Sequence, residues 1–357
     1  MNPLEAELDY PFGETLPETG HVMELAPGVF WLRMGLPFAL NHINLWLLRD
    51  EFDNGSGPRQ GWTVVDCGID SAATRAAWDA VFAQHLQGLP ILRVIATHCH
   101  PDHIGLAHWL CQRWEVPLWM TTGEYAFARM MSAQLPGADG TAMFPHFRKH
   151  GLLDTESLEK LQTRKHYYAT MVPAVPEAYR RMRDGETVKI GGRDWRVITG
   201  FGHSPEHAAL HSEEAGLLIS GDMLLPRIST NVSVFAIEPE ADPVKLYLNS
   251  LKNFSSLAND TLVLPSHGKP FRRLHVRIAQ LFAHHTERLA EVEAACVTPQ
   301  SAADIVPIMF KRPLDGHQLS FAIGEALAHL HALWYEGKLS RRTNEDGVIR
   351  FVLASGM

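Results

Sequence analysis

The stretch ILRVIATHCHPDH, residues 91–103, joins an apolar run to a dense group of histidines. The run has the composition of a buried strand, and the residues that follow the histidines have a helical period. His98, His100 and His103 place three imidazoles within six positions, with the Asp102 carboxylate among them. Imidazole nitrogen and carboxylate oxygen are ligands that suit zinc and neighbouring transition metals. The stretch therefore predicts a strand, loop and helix unit with metal chemistry in its loop.

Three later segments repeat this arrangement of a polar group directly after an apolar strand. They are GHSP at residues 202–205, SGD at 220–222 and PSHG at 265–268, which contain His203, Asp222 and His267. The end of a strand can hold a side chain in fixed geometry while leaving it open to solvent and substrate. We therefore expect these three side chains to join the first cluster in one site.

Strand patterns occur in two groups along the chain, at residues 29–96 and 187–264. Between residues 121 and 186 the strand pattern stops, and helical or irregular segments with several prolines indicate an inserted lid. After residue 270 three helical segments precede a short hairpin, an order that resembles a winged helix. The pattern predicts a β-rich main unit with an insertion and a helical C-terminal unit.

The order H-x-H-x-D-H, G-H-S, G-D and S-H-G resembles the metallo-β-lactamase superfamily, over roughly residues 29–270. The C-terminal part is most similar to the β-lactamase-like protein 2 branch, close to glyoxalase II, which appends a winged-helix unit. The resemblance implies an α/β fold, a four-layer αβ/βα sandwich with metals at one edge between two sheets. It implies a catalytic domain at residues 1–270, with a helical lid at about 121–186, and a winged-helix-like domain at residues 271–357.

The resemblance also implies a role for each polar residue. Two triads of ligands are joined by one shared carboxylate: His98, His100 and His203 for the first ion, Asp102, His103 and His267 for the second, and Asp222 for both. Asp66, in the segment VDCG at residues 65–68, matches a position that supports the histidine loop. Cys99 and His207 lie beside these residues in the sequence, and we expect both to be structural.

Such a site predicts a metal-dependent hydrolase. Two adjacent divalent ions lower the pKa of a shared water, so a metal-bridging hydroxide is the expected nucleophile. Asp102 is the expected catalytic carboxylate, because it can both bind metal and orient the water or accept its proton. Zinc is the expected metal, with iron or manganese as alternatives that accept the same ligands. A metal-binding homologue that has lost catalysis is the alternative from another class.

The substrate class rests on the basic and aromatic composition of residues 144–183 in the predicted lid. This composition suits a small molecule that is anionic and partly apolar, so an acyl thioester or related ester of coenzyme A or glutathione is the leading hypothesis. Arg181 and Arg227 are the expected contacts to its anionic part. A phosphodiesterase or RNA nuclease is the alternative, because the resembled branch and the winged-helix pattern favour it.

The composition of the chain limits its expected partners, its cellular compartment and the state of its cysteines. A formal charge of −8 over 357 residues argues against non-specific nucleic-acid binding. The sequence has no apolar stretch long enough to cross a membrane, and residues 1–20 have no pattern of a signal peptide, so we predict a cytoplasmic protein. The four cysteines have no paired spacing, which predicts reduced thiols. The C-terminal unit is expected to be a packing or dimerisation element, and a homodimer is one expected assembly.

Overall fold

A computed structural model of the chain describes residues 3–53, 55, 57–154, 156, 159 and 166–354. Part of the predicted lid, at residues 155, 157–158 and 160–165, therefore lies outside the described residues. The strands form two sheets and a hairpin, and helices cover the outer faces of both sheets.

The first sheet has seven strands that neighbour one another in chain order. They are β1 (Met23–Ala26), β2 (Val29–Gly35), β3 (His42–Asp53), β4 (Pro58–Val65), β5 (Ile91–Ile95), β6 (Leu118–Met120) and β7 (Tyr179–Arg181). Strands β1 to β4 pair antiparallel, and β4 to β7 pair parallel. The antiparallel half comes from short connections, and the parallel half needs the helical crossovers that the sequence provides.

The second sheet has five strands: β8 (Thr187–Ile190), β9 (Arg193–Gly200), β10 (His207–Ser212), β11 (Leu217–Gly221) and β12 (Leu262–Pro265). Strands β8 to β11 are antiparallel neighbours, and β12 lies parallel to β11 at the edge. A separate antiparallel hairpin near the C-terminus consists of β13 (Leu339–Thr343) and β14 (Ile349–Leu353).

The described helices lie outside the two sheets. They are α1 (Ala72–Gln84), α2 (Pro101–Ile104), α3 (Ala107–Trp114), α4 (Thr122–Ser132), α5 (Met143–Lys149), α6 (Tyr167–Met171), α7 (Pro243–Lys252), α8 (Leu274–Ala295), α9 (Ala302–Met309) and α10 (Gly316–Tyr335). Two of them begin with a capping box, in which Ser301 caps α9 and Asp315 caps α10. None of the helices in the described part of the chain is long and apolar enough to cross a membrane.

Three apolar clusters establish the layer order. Trp31 and Trp46 from the first sheet meet Trp195 from the second in a core between the sheets. Helices α1 and α3 cover the other face of the first sheet, and α7, α8 and α10 cover the other face of the second. Full burial of one large apolar side chain contributes about 1.5–3 kcal/mol, so these clusters are the main source of stability. The predicted four-layer αβ/βα sandwich is confirmed.

The three C-terminal helices and the hairpin occur in the predicted order, but they share the core of the second sheet. Phe271, Ile323 and Leu327 belong to the same apolar cluster as Val263 of β12. The boundary at residue 270 stays a prediction, because this cluster extends across it. Residues 322–333 of α10 are all buried, so most of this helix is enclosed by the rest of the protein.

Strand β7 lies inside the segment where the sequence pattern predicted only helical and irregular structure. Its three residues extend the edge of the first sheet next to β6. The prediction of a lid up to residue 186 was therefore too long in its last part. The strand is short, and Arg180 and Arg181 are exposed, which gives it the charged character of an edge strand and hides it from a hydrophobic pattern.

A buried ion pair links the two sheets at the end opposite the histidine loop. The Arg93 guanidinium on β5 donates to Asp50 on β3 at 2.7 Å, and Thr63 on β4 donates to the same carboxylate at 2.6 Å. Arg93 also donates to the carbonyl of Lys189 in the second sheet, and the Gly191 N–H donates to Asp50 at 2.9 Å. Both charged side chains are at most 1% exposed. The pair therefore fixes how the sheets face each other.

We predict that Arg93→Met lowers the free energy of unfolding by about 3–5 kcal/mol, because it leaves the Asp50 carboxylate buried without its cation. Urea unfolding followed by circular dichroism measures the loss. Asp194→Asn is the matched control, because it breaks the ion pair with Lys189 whose partners are both 69% exposed, and it is expected to cost less than about 1 kcal/mol. Equal losses in the two variants would contradict the structural role of Arg93.

Candidate metal centre

The predicted ligands come together at one edge of the two sheets, where four strands end. The histidine loop at residues 97–103 follows β5, and the other three segments follow β9, β11 and β12. In the second sheet β9, β11 and β12 have the same direction. The contacts of His98 with His203 and of His103 with Asp222 show that β5 of the first sheet ends at the same edge. Rigid strands thus place the side chains, and loops leave them accessible.

The first group of ligand atoms combines three imidazoles and one carboxylate. Nε2 of His98 lies 2.9 Å from Nδ1 of His100 and 3.2 Å from Nε2 of His203. Nε2 of His203 lies 3.4 Å from Oδ2 of Asp222. One ligand atom from each of the four residues lies within 4.8 Å of those of the others. This spacing fits the binding of one ion with nitrogen and oxygen ligands.

The second group lies beside the first. Oδ2 of Asp102 is 3.6 Å from Nε2 of His103 and 3.4 Å from Nε2 of His267. The same two nitrogens are 3.6 and 3.5 Å from Oδ1 of Asp222. The two oxygens of Asp222 therefore face different groups, one each, which is the position that the sequence predicted for a shared ligand.

The cluster contains polar atoms that the described protein atoms leave unsatisfied. Nε2 of His103 and Oδ1 of Asp222 are buried and have no hydrogen-bond partner among them. Buried polar atoms without partners are costly, and a bound ion is a direct way to satisfy such atoms when they lie within a group of ligand atoms. Burial and the neighbouring imidazoles hold the pKa of His98 well below its usual value and lower the pKa of His100 to about 3, so both present neutral lone pairs. The residues present fit divalent metal ions.

The second group shows the same need for positive charge. Burial lowers the pKa of His103, but the carboxylates of Asp102, Asp66 and Asp222 outweigh burial and raise this pKa to about 9. Burial raises the pKa of Asp102, but His103 and His267 outweigh it and lower this pKa to about 2. The carboxylates around His103 therefore favour positive charge in this group, which a divalent ion would supply.

Asp66 contacts the histidine loop from behind. Its Oδ2 accepts a hydrogen bond from Nδ1 of His103 at 2.8 Å, and its Oδ1 accepts one from the Thr97 N–H at 2.8 Å. This bond places the proton of His103 on Nδ1 and leaves Nε2 facing the second ligand group. Asp66 has a φ of 63°, in the left-handed region that is costly for a residue with a side chain. The strained turn is retained where the carboxylate is needed.

Two backbone carbonyls orient the imidazoles of His203 and His267 in the same way. Nδ1 of His203 donates to the Asn231 carbonyl at 2.8 Å, and Nδ1 of His267 donates to the His42 carbonyl at 2.8 Å. In each ring the other nitrogen is directed toward the carboxylates. Ligand orientation therefore depends on segments far away in the sequence.

Glu124 is a supporting residue that the sequence did not reveal. This buried carboxylate at the start of α4 accepts hydrogen bonds from the Cys99 N–H at 2.8 Å, the Ser204 hydroxyl at 2.6 Å and the Glu206 N–H at 2.6 Å. Burial raises its pKa, and these donors oppose that effect. Glu124 thus ties the loop of His98 and His100 to the loop of His203. An acidic residue in the first turn of a helix is common, so no sequence signal marked it.

Cys99 and His207 lie next to the ligands without joining either group in the described part of the chain. Both are buried. Nε2 of His207 accepts a hydrogen bond from the Asp222 N–H at 3.1 Å, so this ring supports the backbone of the shared carboxylate. These positions agree with the structural roles that the sequence predicted.

The two arginines predicted to contact substrate lie on the surface. The Arg227 side chain is 67% exposed, and its Nε lies 4.0 Å from the Glu5 carboxylate. Arg181 pairs with Met120 in the sheet register, and Met120 belongs to the core on the outer face of the first sheet. Cross-strand partners share a face, so the Arg181 side chain lies on the side away from the second sheet. Contact of either residue with substrate stays a prediction.

Comparison with known proteins agrees with this geometry. The family model described as metallo-beta-lactamase superfamily matches residues 43–267. The chain belongs to the metallo-beta-lactamase superfamily. A second model, described as metallo-beta-lactamase-like C-terminal domain, matches residues 289–354. The fold, the ligand groups and the relatives together identify a metallo-hydrolase of this superfamily, and its assignment to a particular branch stays a prediction.

Several relatives share most of the chain. A beta-lactamase domain protein from Burkholderia ambifaria is 60% identical, with a TM-score of 0.93, and the match covers 99% of this chain and 100% of that one. A metallo-beta-lactamase family protein from Thermus thermophilus is 30% identical, with a TM-score of 0.75, and the match covers 92% of this chain and 100% of that one. The probable metallo-hydrolase YqjP from Bacillus subtilis strain 168 is 25% identical over 85% of this chain and 92% of its own length.

We predict that Asp66→Ala weakens metal binding by about 10–100-fold, because His103 loses the partner that fixes its tautomer and orientation. Competition with a chromogenic chelator, with metal content from elemental analysis, measures the change. Asp70→Ala is the control four residues away, since the Asp70 carboxylate forms an ion pair with Arg75 at 2.7 Å near the surface, away from the ligands. Native metal affinity in Asp66→Ala would show that the carboxylate does not support this superfamily site.

Proposed function

We propose that this chain is a dinuclear metallo-hydrolase that cleaves an acyl thioester or related ester whose carrier is anionic, such as coenzyme A or glutathione. One observation carries the dinuclear part of this proposal. The two oxygens of Asp222 face two adjacent groups of ligands, and one of these oxygens is buried without a hydrogen-bond partner among the described residues. A carboxylate in that position neutralises part of two neighbouring cations.

The ions would be held by His98, His100 and His203 on one side, by Asp102, His103 and His267 on the other, and by Asp222 between them. Zinc is the proposed metal, and iron and manganese accept the same ligands. When bound, two such ions activate a water for attack and polarise the attacked carbonyl. The Asp102 side chain is 18% exposed against 10% for Asp222, so it is the carboxylate better placed to orient a water or accept its proton.

One curated relative supports the thioester class. The chain is 24% identical to the atrochrysone carboxyl ACP thioesterase AacuM from Aspergillus aculeatus, over 49% of this chain and 54% of that protein. The match covers about half of each chain, so it supports a thioester as the scissile group and leaves the carrier to be argued from the site.

Arg33 supports an anionic carrier. It lies near the C-terminal end of β2, two residues after Trp31, so its side chain is on the face of the sheet that meets the second sheet. Its register partner, Asn44, donates to the carbonyls of Pro265 and Gly268, on either side of His267. Arg33 therefore lies at the edge of the sheets that holds the ligands.

The charge of Arg33 has no counter-ion in the described part of the protein, where it forms neither an ion pair nor a side-chain hydrogen bond. The side chain is half-buried, and burial lowers its pKa without removing the charge of a guanidinium. The nearby His42 is neutral, since burial, Arg33 and His267 lower its pKa to about 3. A half-buried cation without a counter-ion beside the site is a suitable contact for a carboxylate or phosphate.

A nucleic-acid substrate has less support. The helix in the position of a recognition helix, α10, is buried over residues 322–333 and offers little of its surface to a groove. The net charge of −8 also lacks the basic footprint of a nuclease. The phosphodiesterase alternative is therefore treated only as one possible outcome of the substrate tests described next.

Elemental analysis of the purified protein, followed by a substrate panel on the same preparation, tests the proposed function. The panel contains acyl-coenzyme A, S-acylglutathione, a lactone, a chromogenic lactam and bis-p-nitrophenyl phosphate. Two metal ions per chain and metal-dependent thioester hydrolysis are the expected results. Hydrolysis of the phosphodiester alone would replace the proposed substrate class, and a metal-loaded protein without hydrolysis would favour a non-catalytic homologue.

We predict that Arg33→Gln raises KM for S-acylglutathione and acyl-coenzyme A about tenfold with little change in kcat, because it removes binding and leaves the ligands intact. The matching N-acetylcysteamine thioester is neutral and is expected to keep its KM. Arg59→Gln is the control, since Arg59 is exposed at the opposite end of the first sheet. The same assay on Arg181→Gln and Arg227→Gln tests the two surface arginines, and an unchanged preference in Arg33→Gln would remove Arg33 from the substrate site.

A further inference from the structure

The loop at residues 223–234 follows the shared ligand in sequence and helps to orient another ligand. It begins directly after Asp222 and contains Asn231, whose carbonyl accepts the hydrogen bond from Nδ1 of His203 at 2.8 Å. A displacement of this carbonyl would rotate the His203 ring or remove its partner. The loop therefore has to be held in place by something outside the ligand groups.

Helix α10 of the C-terminal unit holds the Asn231 end of this loop. Oε2 of Glu325 accepts a hydrogen bond from the Asn231 side-chain amide at 3.1 Å, and the Ser233 hydroxyl donates to Oδ1 of Asn231 at 2.8 Å. The Val234 N–H donates to the carbonyl of Gly324 at 3.1 Å. A Cβ at position 324 would lie 2.8 Å from Cβ of Ser233, so glycine allows helix and loop to approach this closely. The Asn231 side chain thus has partners for both its donor and its acceptor.

Helix α8 holds the other end of the loop. The Arg277 side chain is only 4% exposed, and its Nε donates to the carbonyl of Leu225 at 2.6 Å. One of its terminal nitrogens donates to the carbonyl of Ile228 at 2.8 Å. Two helices of the C-terminal unit therefore fix the loop, each through a charged side chain that is almost fully buried.

Packing alone does not explain Glu325, because burying a carboxylate among apolar side chains costs free energy. Its helical neighbours Ala322, Ile323, Ala326 and Leu327 are all buried and apolar. Burial raises the pKa of Glu325 to about 7, which reflects the cost of keeping a carboxylate there. An apolar side chain would pack at least as well, so the hydrogen bond to Asn231 is the feature that calls for an acceptor oxygen at this position.

We infer that Glu325 is a positioning residue of the metal centre, which acts through Asn231 on the orientation of His203. The C-terminal unit thereby contributes to the site although none of the seven potential ligands in the described chain belongs to it. This inference rests on the metal centre of the proposed function and adds a role for a segment outside the ligand set.

Cobalt binding tests the inference without a substrate. We expect the native chain to bind two Co²⁺ ions, and failure to do so would count against the proposed metal centre before any variant is made. Glu325→Leu is expected to bind one of the two ions about tenfold more weakly in competition with a chelator, and to change the d–d absorption of bound cobalt. Glu325→Gln keeps an acceptor oxygen and is expected to stay within about twofold of native. Native affinity and spectrum in Glu325→Leu would overturn the inference.

A reciprocal exchange keeps the test valid if Glu325→Leu fails to fold. Asn231→Asp places two carboxylates together and is expected to weaken cobalt binding, whereas the double variant Asn231→Asp with Glu325→Gln restores a donor facing an acceptor. Recovery of affinity and spectrum in the double variant supports positioning through this hydrogen bond. No recovery would overturn it. Leu333→Ala, in the same helix, is the control for a loss of stability alone, and it is expected to leave the cobalt spectrum unchanged.

Discussion

The clustering of seven potential metal ligands of the described chain, most of them buried, at one edge of two sheets is the constraint on which the rest of this structure depends. Five imidazoles and two carboxylates lie so close that the carboxylates raise the pKa values of His103 and His267, while burial and neighbouring imidazoles lower those of His98 and His100. Such a cluster is stable only if cations or protons balance it and a rigid frame holds it. The sandwich provides that frame because strands from both sheets end at the same edge.

The frame works through hydrogen bonds that connect distant segments. Asp66 fixes the histidine loop from the end of β4, and Glu124 joins that loop to the segment that carries His203. Each of these carboxylates is buried and accepts several hydrogen bonds. Each therefore holds a loop in place and, with it, the ligands that the loop carries. Removal of one such group leaves donors unsatisfied as well as ligands free to move, which makes the site sensitive to changes outside it.

The sequence predicted that these histidines and aspartates come together, because each follows an apolar strand within a short polar motif. It also predicted two sheets from the two groups of strands. Glu124, Arg33 and Glu325 could not be predicted, because each is a single residue of common type. Hydrogen bonds to residues distant in sequence identify Glu124 and Glu325, and the place of its strand beside the ligands identifies Arg33. The sequence predicts a substrate contact for Arg181 from its charge alone. The face on which its side chain lies depends on strand alternation, and a three-residue strand is too short for this to show in the sequence pattern. The sequence pattern thus reveals periodic and clustered residues, but it misses single residues that contact distant parts of the chain.

The contact between Asn231 and Glu325 also limits how this protein can be recombined with its relatives. The C-terminal helices resemble an attachable module, since a separate family model matches residues 289–354. Their junction with the rest of the chain nevertheless contains an amide that donates to a carboxylate. A chimera that takes these helices from another relative preserves the site only if positions 231 and 325 are inherited as a compatible pair. The smallest exchangeable unit is therefore larger than the C-terminal segment.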